Sequence, residues 1–377
     1  MLRATVLGAG VVALPFTGWS SAYSAAQAGP GPYGSLKGAD SRGIRLPAGF
    51  TSEIVARSGR TVPGTGYTWH DAPDGGAVFA GADGWSYVSN SEVPGGKGGA
   101  SVISFDRQGR AVGARRILSG TSSNCAGGGT PWKTWLSCEE IDRGKVFETY
   151  PMGGQAVARP ALGRFKHEAA AADPVRKVVY LTEDEPDGCF YRFVPDEWGD
   201  LSAGVLQVMR AGDGTSGALG WERVPDPDAS SVRTRHQVSE AKVFTGGEGC
   251  FYANDTVWFT TKGDGRVWEV DLLTDRYRLA YDDNLTEPAP LTGVDNLTGS
   301  TFGDLYVAED NGNMEICVIT PQGRVSPFLR VNGQSESELT GVAFNPAGDR
   351  LYFSSQRGKA GVLTEGITYC VKGPFRT

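Results

Sequence analysis

The segment NCAGGGTPWKTWLSCEE, residues 124–140, combines metal-binding side chains with a run of glycines. It contains Cys125, Cys138 and the adjacent carboxylates Glu139 and Glu140. Glycine lets a backbone approach another group closely. Adjacent carboxylates repel each other unless a positive charge lies between them. The segment therefore indicates a metal ion.

The kind of metal can be narrowed from the available ligands. The chain has only 3 histidines, and they are too scattered for a histidine-rich zinc site. Carboxylates suit hard ions such as calcium, manganese or ferric iron. Cys125 is a poor calcium ligand but a good ligand for iron or zinc, so a mixed cluster is one interpretation. The alternative is that Cys125 is simply a small residue packed beside glycines.

Six segments repeat one pattern, in which a turn precedes an aromatic-containing β run with a polar or acidic end. We align them on six aromatic anchors: Tyr87, Trp135, Tyr180, Trp258, Tyr306 and Tyr352. Successive anchors are 45 to 48 residues apart, except for one interval of 78 residues. This period is typical of a four-stranded propeller blade. The sequence predicts an all-β, six-bladed β-propeller with an insertion between the third and fourth blades, within residues 212–239. A β-sandwich or two small β domains are the alternatives.

The alignment also places the candidate ligands. Four of them stand 10 to 12 residues before an anchor, where an innermost strand should begin: Cys125, Glu168, Glu248 and Asp295. In a propeller these positions converge on one end of the central channel. A second set follows the anchors: Glu92, Glu139, Glu140, Glu183, Asp184, Glu309 and Asp310. Each member of this set is either a ligand or an ordinary solvated residue at a strand end.

The N-terminus predicts export. Arg3 precedes an apolar run over residues 6–16, and Ala26-Gln27-Ala28 resembles a cleavage site, so residues 1–28 would be a signal peptide and residues 29–377 one propeller domain. The twin-arginine route would need a second arginine, so we leave the Sec and twin-arginine routes open. The apolar run is too short for a membrane anchor. A net charge of −7 argues against nucleic-acid or anionic-membrane partners.

Several long motifs together resemble the PhoX-type alkaline phosphatases. They are NCAGGGTPWKTWLSCEE, GRFKHEAAAADP, VVYLTEDEPDGCFYRFVP, GGEGCFYANDTVWFTTKGDGRVW and GVDNLTGSTFGDLYVAEDN, and the resemblance spans roughly residues 84–356. It implies a six-bladed propeller with ferric iron, Fe(III), and Ca2+ in a central pocket that hydrolyses phosphate monoesters outside the cytoplasm. It also implies that Cys125 is an iron ligand and that Glu168 and Glu248 belong to the cluster. The further cluster or calcium ligands that the resemblance implies are Glu92, Glu139, Glu140, Asp295 and Asp310.

Two departures from the family affect the expected activity. The larger members carry a phosphate-clamping arginine where this chain has Gly246, and Asn-His-Glu where it has Asn90-Ser91-Glu92. Lys262 could meet the phosphate instead, or could form an ion pair with Asp264. Lys166 should face the other side of its strand. We therefore expect Glu168, Glu248 and Lys262 to be the catalytic residues.

Three functions remain open. The first is a monomeric, metal-dependent hydrolase of small-molecule phosphoesters that does not insert stably into a membrane. The second is a calcium-dependent propeller lactonase, which would not need Cys125. The third is a non-catalytic binding propeller stabilised by calcium.

Overall fold

The computed structural model describes residues 25–285 and 287–376. Most of the predicted signal peptide therefore lies outside the described residues, and its cleavage remains a prediction. Among the helices in the described ranges, none is long and apolar enough to cross a bilayer.

The described chain is built almost entirely of short β-strands, as the six repeated segments predict. The strands of the N-terminal half are β1 (Gln27–Ala28), β2 (Ile44–Arg45), β3 (Thr51–Arg57), β4 (Pro73–Ala80), β5 (Gly84–Ser91), β6 (Gly98–Asp106), β7 (Ala111–Thr121), β8 (Asn124–Gly129), β9 (Trp135–Glu139), β10 (Val146–Thr149), β11 (Val157–Ala158), β12 (His167–Asp173) and β13 (Val178–Glu183). The C-terminal half contains β14 (Phe190–Glu197), β15 (Asp200–Ala211), β16 (Ser216–Arg223), β17 (Gly247–Ala253), β18 (Thr256–Thr261), β19 (Arg266–Asp271), β20 (Arg276–Asp282), β21 (Val294–Gly299), β22 (Leu305–Glu309), β23 (Glu315–Ile319), β24 (Arg324–Val331), β25 (Leu339–Phe344), β26 (Arg350–Ser355) and β27 (Ile367–Lys372). The helices in these ranges are single 3-10 turns, at Pro160–Leu162, Thr234–His236, Lys262–Asp264, Asp283–Leu285 and Leu363–Glu365.

The strands form five sheets in a propeller-like, all-β arrangement. Two sheets are consecutive four-stranded meanders, β4 to β7 and β8 to β11. A third closes the ring of sheets, because the N-terminal strand β3 pairs with the C-terminal strand β27. A fourth contains β21 to β24, and β1 and β2 both pair with β24.

The fifth sheet differs from the prediction of six separate blades. It has nine strands, in which β12 to β15 and β17 to β20 are two runs of four strands. Strand β16 lies in the segment predicted to be an insertion, and it pairs with β15 on one side and with β20 on the other. The edges of the two runs are therefore joined by hydrogen bonds, which sequence periodicity could not show.

Six strands surround the centre of the molecule. β4 packs against β8, β8 against β12, β12 against β17, β17 against β21, β21 against β25, and β25 against β4. We call these six the inner strands. The glycines after Cys125 permit close packing of β8 against β9 of its own sheet and against the inner strand β12. A Cβ on Gly127 would lie 1.8 Å from the carbonyl oxygen of Leu136, and one on Gly128 would lie 2.0 Å from that of Ala170.

The six predicted anchors all lie on the strand that follows an inner strand, and all are buried. Tyr87 stacks on Tyr352 with ring centroids 5.1 Å apart, which connects the first and last of these strands. Burying an aromatic side chain removes roughly 150–250 Å² of its surface from water. Each anchor therefore stabilises the folded state by at most about 4–6 kcal/mol. The anchors hold the inner strands in place and do not contribute to the site directly.

Candidate metal centre

Five inner strands share an irregularity at their second residue. On β8, Asn124 pairs with Glu139 and Gly127 pairs with Ser137, so Cys125 and Ala126 together oppose the single residue Cys138. A bulge of this kind re-aims a side chain out of the regular ladder. The same irregularity occurs in β4, β12, β17 and β21. The second residues of these five strands are Asp74, Cys125, Glu168, Glu248 and Asp295.

These side chains meet acidic residues from neighbouring loops at the centre. Four groups of three residues have ligand atoms that all lie within 4.8 Å of one another: Cys125 with Glu140 and Glu168, Glu168 with Glu248 and Asp295, Asp74 with Glu92 and Glu338, and Asp295 with Asp310 and Glu338. The groups share members and form one assembly, which we call the central cluster: Asp74, Glu92, Cys125, Glu140, Glu168, Glu248, Asp295, Asp310 and Glu338. It brings together every ligand that the family resemblance implied except Glu139, whereas the other candidates Glu183, Asp184 and Glu309 lie outside it.

Glu139 lies at the end of β9, and its carboxylate faces backbone N–H groups outside the central cluster. Its carboxylate accepts hydrogen bonds from the backbone N–H groups of Ser122, at 3.0 Å, and Lys145, at 3.2 Å. Glu140 is the next residue and points into the central cluster. Successive side chains alternate in direction, so only one member of the adjacent pair reaches the centre.

The prediction missed two members of the cluster and one of its hydrogen-bond donors. Asp74 stands 13 residues before Tyr87, outside the spacing of the other candidates. Glu338 precedes an inner strand and does not lie on it. The amide of Gln356 donates hydrogen bonds to Asp74 at 2.6 Å and to Glu92 at 2.8 Å. Of these three residues, only Gln356 had a signal in the sequence, which is its position directly after a strand that carries an aromatic anchor. Gln356 follows β26 in the same way that Glu92 follows β5 and Glu140 follows β9.

Without a metal ion, the cluster disfavours ionised carboxylates. Burial, with the nearby charges of Glu248 and Glu140, raises the pKa of Glu168 well above its usual value. Burial raises the pKa of Asp295 to about 7, although Lys262 opposes the shift. Burial likewise raises the pKa of Glu140 to about 7 against the attraction of Lys166. The cluster therefore favours additional positive charge.

Three cationic side chains border the cluster. Lys262 lies 2.8 Å from Glu248 and 3.4 Å from Asp310. Lys166 lies 2.9 Å from Glu140 and 2.7 Å from Asp184. The guanidinium of Arg357 lies 2.8 Å from Glu338. We call Lys166, Lys262 and Arg357 the cationic rim.

The positions of the two lysines answer two questions left by the sequence. Lys262 pairs with members of the central cluster, whereas Asp264 pairs with Arg266 at 2.8 Å. The expectation that Lys166 would face away from the site is wrong. Lys166 precedes the first residue of β12, so strand alternation does not apply to it.

The donors of the central cluster fit a metal site. Oε2 of Glu168 is buried and has no hydrogen-bond partner among the described residues. The Sγ atom of Cys125 lies 3.4 Å from Asp74 and 3.3 Å from Glu168. A thiol carries one proton and donates to one of these oxygens at a time. A cation held by the sulfur and both oxygens would satisfy all three atoms.

Gly246 adopts a conformation that limits what can replace it. Its φ is +69°, and an added Cβ would lie 3.2 Å from both Asp184 Oδ1 and the backbone nitrogen of Gly263. Side chains other than glycine rarely adopt this region. The backbone at this position therefore disfavours an arginine.

The family model for alkaline phosphatase PhoX matches residues 98–155 and 144–271 of the chain. These ranges contain Cys125, Glu140, Glu168, Glu248 and Lys262, and they confirm the resemblance predicted from the motifs. No curated protein matches the sequence at a significant level.

Solved structures are similar in fold. Pseudomonas fluorescens PhoX, in complex with the transition-state analogue vanadate, is 18% identical with a TM-score of 0.74, and the match covers 93% of this chain and 98% of that chain. A putative gluconolactonase is 13% identical with a TM-score of 0.51, covering 91% of this chain and 99% of that one. A protein of unknown function from Bacteroides thetaiotaomicron is 10% identical with a TM-score of 0.52, covering 86% and 76%. At these identities the likeness describes the fold alone.

Proposed function

With the match to the alkaline phosphatase PhoX family as the starting point, we propose that this chain is an exported, metal-dependent phosphoester hydrolase that acts at the central cluster. The observation that carries the proposal is the convergence of Cys125 and four carboxylates from five bulged inner strands. We also interpret the nine-stranded sheet as two blades joined by β16, which would make six blades in all.

The ligand types suggest how two kinds of ion would be distributed. Cys125, Glu140 and Glu168 offer sulfur and oxygen donors together, which suits ferric iron. Asp74, Glu92 and Glu338 offer only oxygen donors, which suits calcium. Asp295, Asp310 and Glu338 form a second all-oxygen group. When bound, such ions supply polarisation of the phosphoryl group and activation of water.

The cationic rim would bind the phosphoryl group of the substrate. Burial disfavours the charged form of Lys262, but Glu248 and Asp295 outweigh this effect and raise its pKa. Burial also opposes the charge of Lys166, and Glu140 and Asp184 raise its pKa in the same way. Both side chains stay protonated at alkaline pH and can neutralise anionic phosphoryl oxygens.

Arg357 is the best placed of the three for directional recognition. It donates from Nε to the carbonyl of Glu336 at 3.4 Å, from Nη1 to Gln356 at 2.7 Å and from Nη2 to Glu338 at 2.8 Å. A guanidinium has five N–H groups, so two remain for a ligand, although Nη2 also lies 3.7 Å from Asp310. These contacts fix the orientation of the guanidinium before substrate binds, as a phosphate clamp requires.

Metal analysis combined with a substrate panel tests the proposal. Protein purified without chelators should contain iron and calcium, and should hydrolyse an aryl phosphate with an alkaline optimum. Calcium without iron, together with hydrolysis of lactones, would favour a propeller lactonase. Bound calcium with no hydrolysis of either substrate class would favour a binding propeller.

A further inference from the structure

We propose that an arginine-lined pocket beside the central cluster binds a second phosphate group, at the far end of the substrate. The inference rests on the proposed hydrolase function. The pocket has a volume of about 170 Å³, and its lining includes Arg143, Arg164, Arg233 and Arg235 together with Asp142 and Ser231. We call it the arginine pocket.

The segment between β16 and β17 builds one wall of this pocket. Arg143 donates a hydrogen bond to the carbonyl of Asp228 at 2.8 Å and another to that of Ala229. The hydroxyl of Thr234 donates to the carbonyl of Arg164 at 2.9 Å. These hydrogen bonds hold the segment predicted as an insertion against the loops that contain Arg143 and Arg164. The same segment contributes Arg233 and Arg235 to the pocket.

Two of the four arginines are neutralised within the protein. Arg235 lies 3.0 Å from Glu183, 3.5 Å from Glu185 and 2.7 Å from Asp187. Arg233 forms an ion pair with Asp142. Because carboxylates compensate their charges, Arg233 and Arg235 help to form the walls of the pocket but add little to its positive charge.

The other two arginines retain their positive charge. The hydrogen bonds of Arg143 go to backbone carbonyls, and Arg164 donates from Nε to the carbonyl of Arg143 at 2.8 Å. Neither forms an ion pair with any carboxylate in residues 25–285 or 287–376, although Arg143 attracts Asp226 from beyond contact distance. Two guanidinium groups in one half-buried pocket favour a multiply charged anion. Phosphate matches the planar fork of arginine, and the exposed hydroxyl of Ser231 adds a donor.

Chain connectivity keeps the backbone at Arg143 and Arg164 close to that of Glu140 and Lys166. Arg164 is two residues before Lys166, whose Nζ lies 2.9 Å from Glu140. Two residues span at most about 7 Å. On the other side, Arg143 is three residues after Glu140. A sugar that carries two phosphates could present one to the cluster while the other occupies the arginine pocket.

The test compares a hexose bisphosphate with a hexose monophosphate in the metal-loaded enzyme. Arg164→Gln should lower kcat/KM for the bisphosphate on the order of tenfold or more, mainly through KM, because a charge-assisted contact is lost. The monophosphate should change less than twofold. Ser231→Glu alters only an exposed side chain and should have the same selective effect by repulsion. Arg107→Gln, an exposed arginine that pairs with Asp83, is the matched control.

Direct binding separates this inference from the proposed activity. Calorimetric titration with inorganic phosphate should show a weak site, in addition to any phosphate binding at the central cluster, that is present in the wild type and in Arg107→Gln and lost in Arg164→Gln and Ser231→Glu, whether or not the protein hydrolyses any ester. Phosphate binding without a preference for the bisphosphate would overturn the substrate role and leave a site for free phosphate. Equal phosphate binding and equal substrate ratios in all variants would overturn the pocket itself.

Discussion

The Sγ atom of Cys125 lies 3.3 Å from Oε1 of Glu168, and the two residues occupy the same bulged position on neighbouring inner strands. Burial, with the charges of Asp74 and Glu168, raises the pKa of Cys125 well above its usual value when no metal is present. The thiolate would therefore form only when a cation compensates these carboxylates. This relationship would make metal binding and thiol ionisation a single event.

Cys125→Ser should lose bound iron and nearly all hydrolysis while the chain still folds, because the aromatic anchors are untouched. The loss of a thiolate absorption band and of iron by elemental analysis would check this result. Cys138→Ser is the matched control, since Cys138 is buried in the hydrophobic core beside Leu136 and Val146. Iron that stays with Cys125→Ser but leaves Cys138→Ser would reverse our assignment.

The two carboxylate neighbours Glu139 and Glu140 should behave differently. Glu140→Gln removes a charge from the central cluster and should reduce metal content and turnover on the order of a hundredfold. Glu139→Gln keeps an acceptor oxygen for only one of the backbone N–H groups of Ser122 and Lys145, because the amide NH2 replaces the other oxygen, so it should lower stability but retain both metal and activity. Measuring the metal content and kcat of both variants under the same conditions shows which of the two carboxylates is a ligand. A larger loss in Glu139→Gln would restore the prediction that Glu139 is a ligand.

Arg357→Gln should lower kcat/KM for an aryl phosphate on the order of 10- to 100-fold, because one charge-assisted contact to the phosphoryl group is removed. Bound metal should stay unchanged. Arg357→Lys keeps the charge but loses the fork, and should recover only part of the activity. Full activity in Arg357→Gln would show that the two rim lysines suffice.

Gly246→Arg should destabilise the protein without raising its activity. The family resemblance suggested that this change could restore a phosphate clamp, but the φ of +69° makes a side chain costly at this position. Backbone strain of this kind costs on the order of 1–3 kcal/mol. A lower melting temperature with unchanged kcat/KM is the expected result, and a rise in kcat/KM at unchanged melting temperature would contradict it.

Metal removal should make stability depend on pH. In the unfolded chain Glu140 and Asp295 titrate near 4.5 and 3.8, whereas in the folded metal-free protein the pKa of each is raised to about 7. The folded state then binds more protons between these values, so the free energy of unfolding falls as pH rises from about 4 to about 7 and stays low above that. Bound cations should suppress this fall. The gap in melting temperature between loaded and chelated protein should therefore be larger at pH 8 than at pH 5, and an equal gap at both would refute the assignment.

Local sequence was sufficient for the repeating units of the fold. Aromatic-containing β runs and regularly spaced aromatic anchors are short-range patterns, so they predicted strands, an all-β propeller-like arrangement and a convergent acidic centre. The same regularity placed Cys125, Glu168, Glu248 and Asp295 correctly at the starts of inner strands.

Other features depended on contacts between distant segments, which the tertiary structure alone decided. Pairing of β16 with both β15 and β20 joined two runs into a single sheet. The direction of Glu139 followed from its turn contacts, and Glu338 and Arg357 came together at the centre through loops with no repeated spacing. Hydrophobic periodicity determines which residues are buried in a strand, but the direction of a polar side chain at a strand end depends on the hydrogen-bond partners that the complete fold supplies.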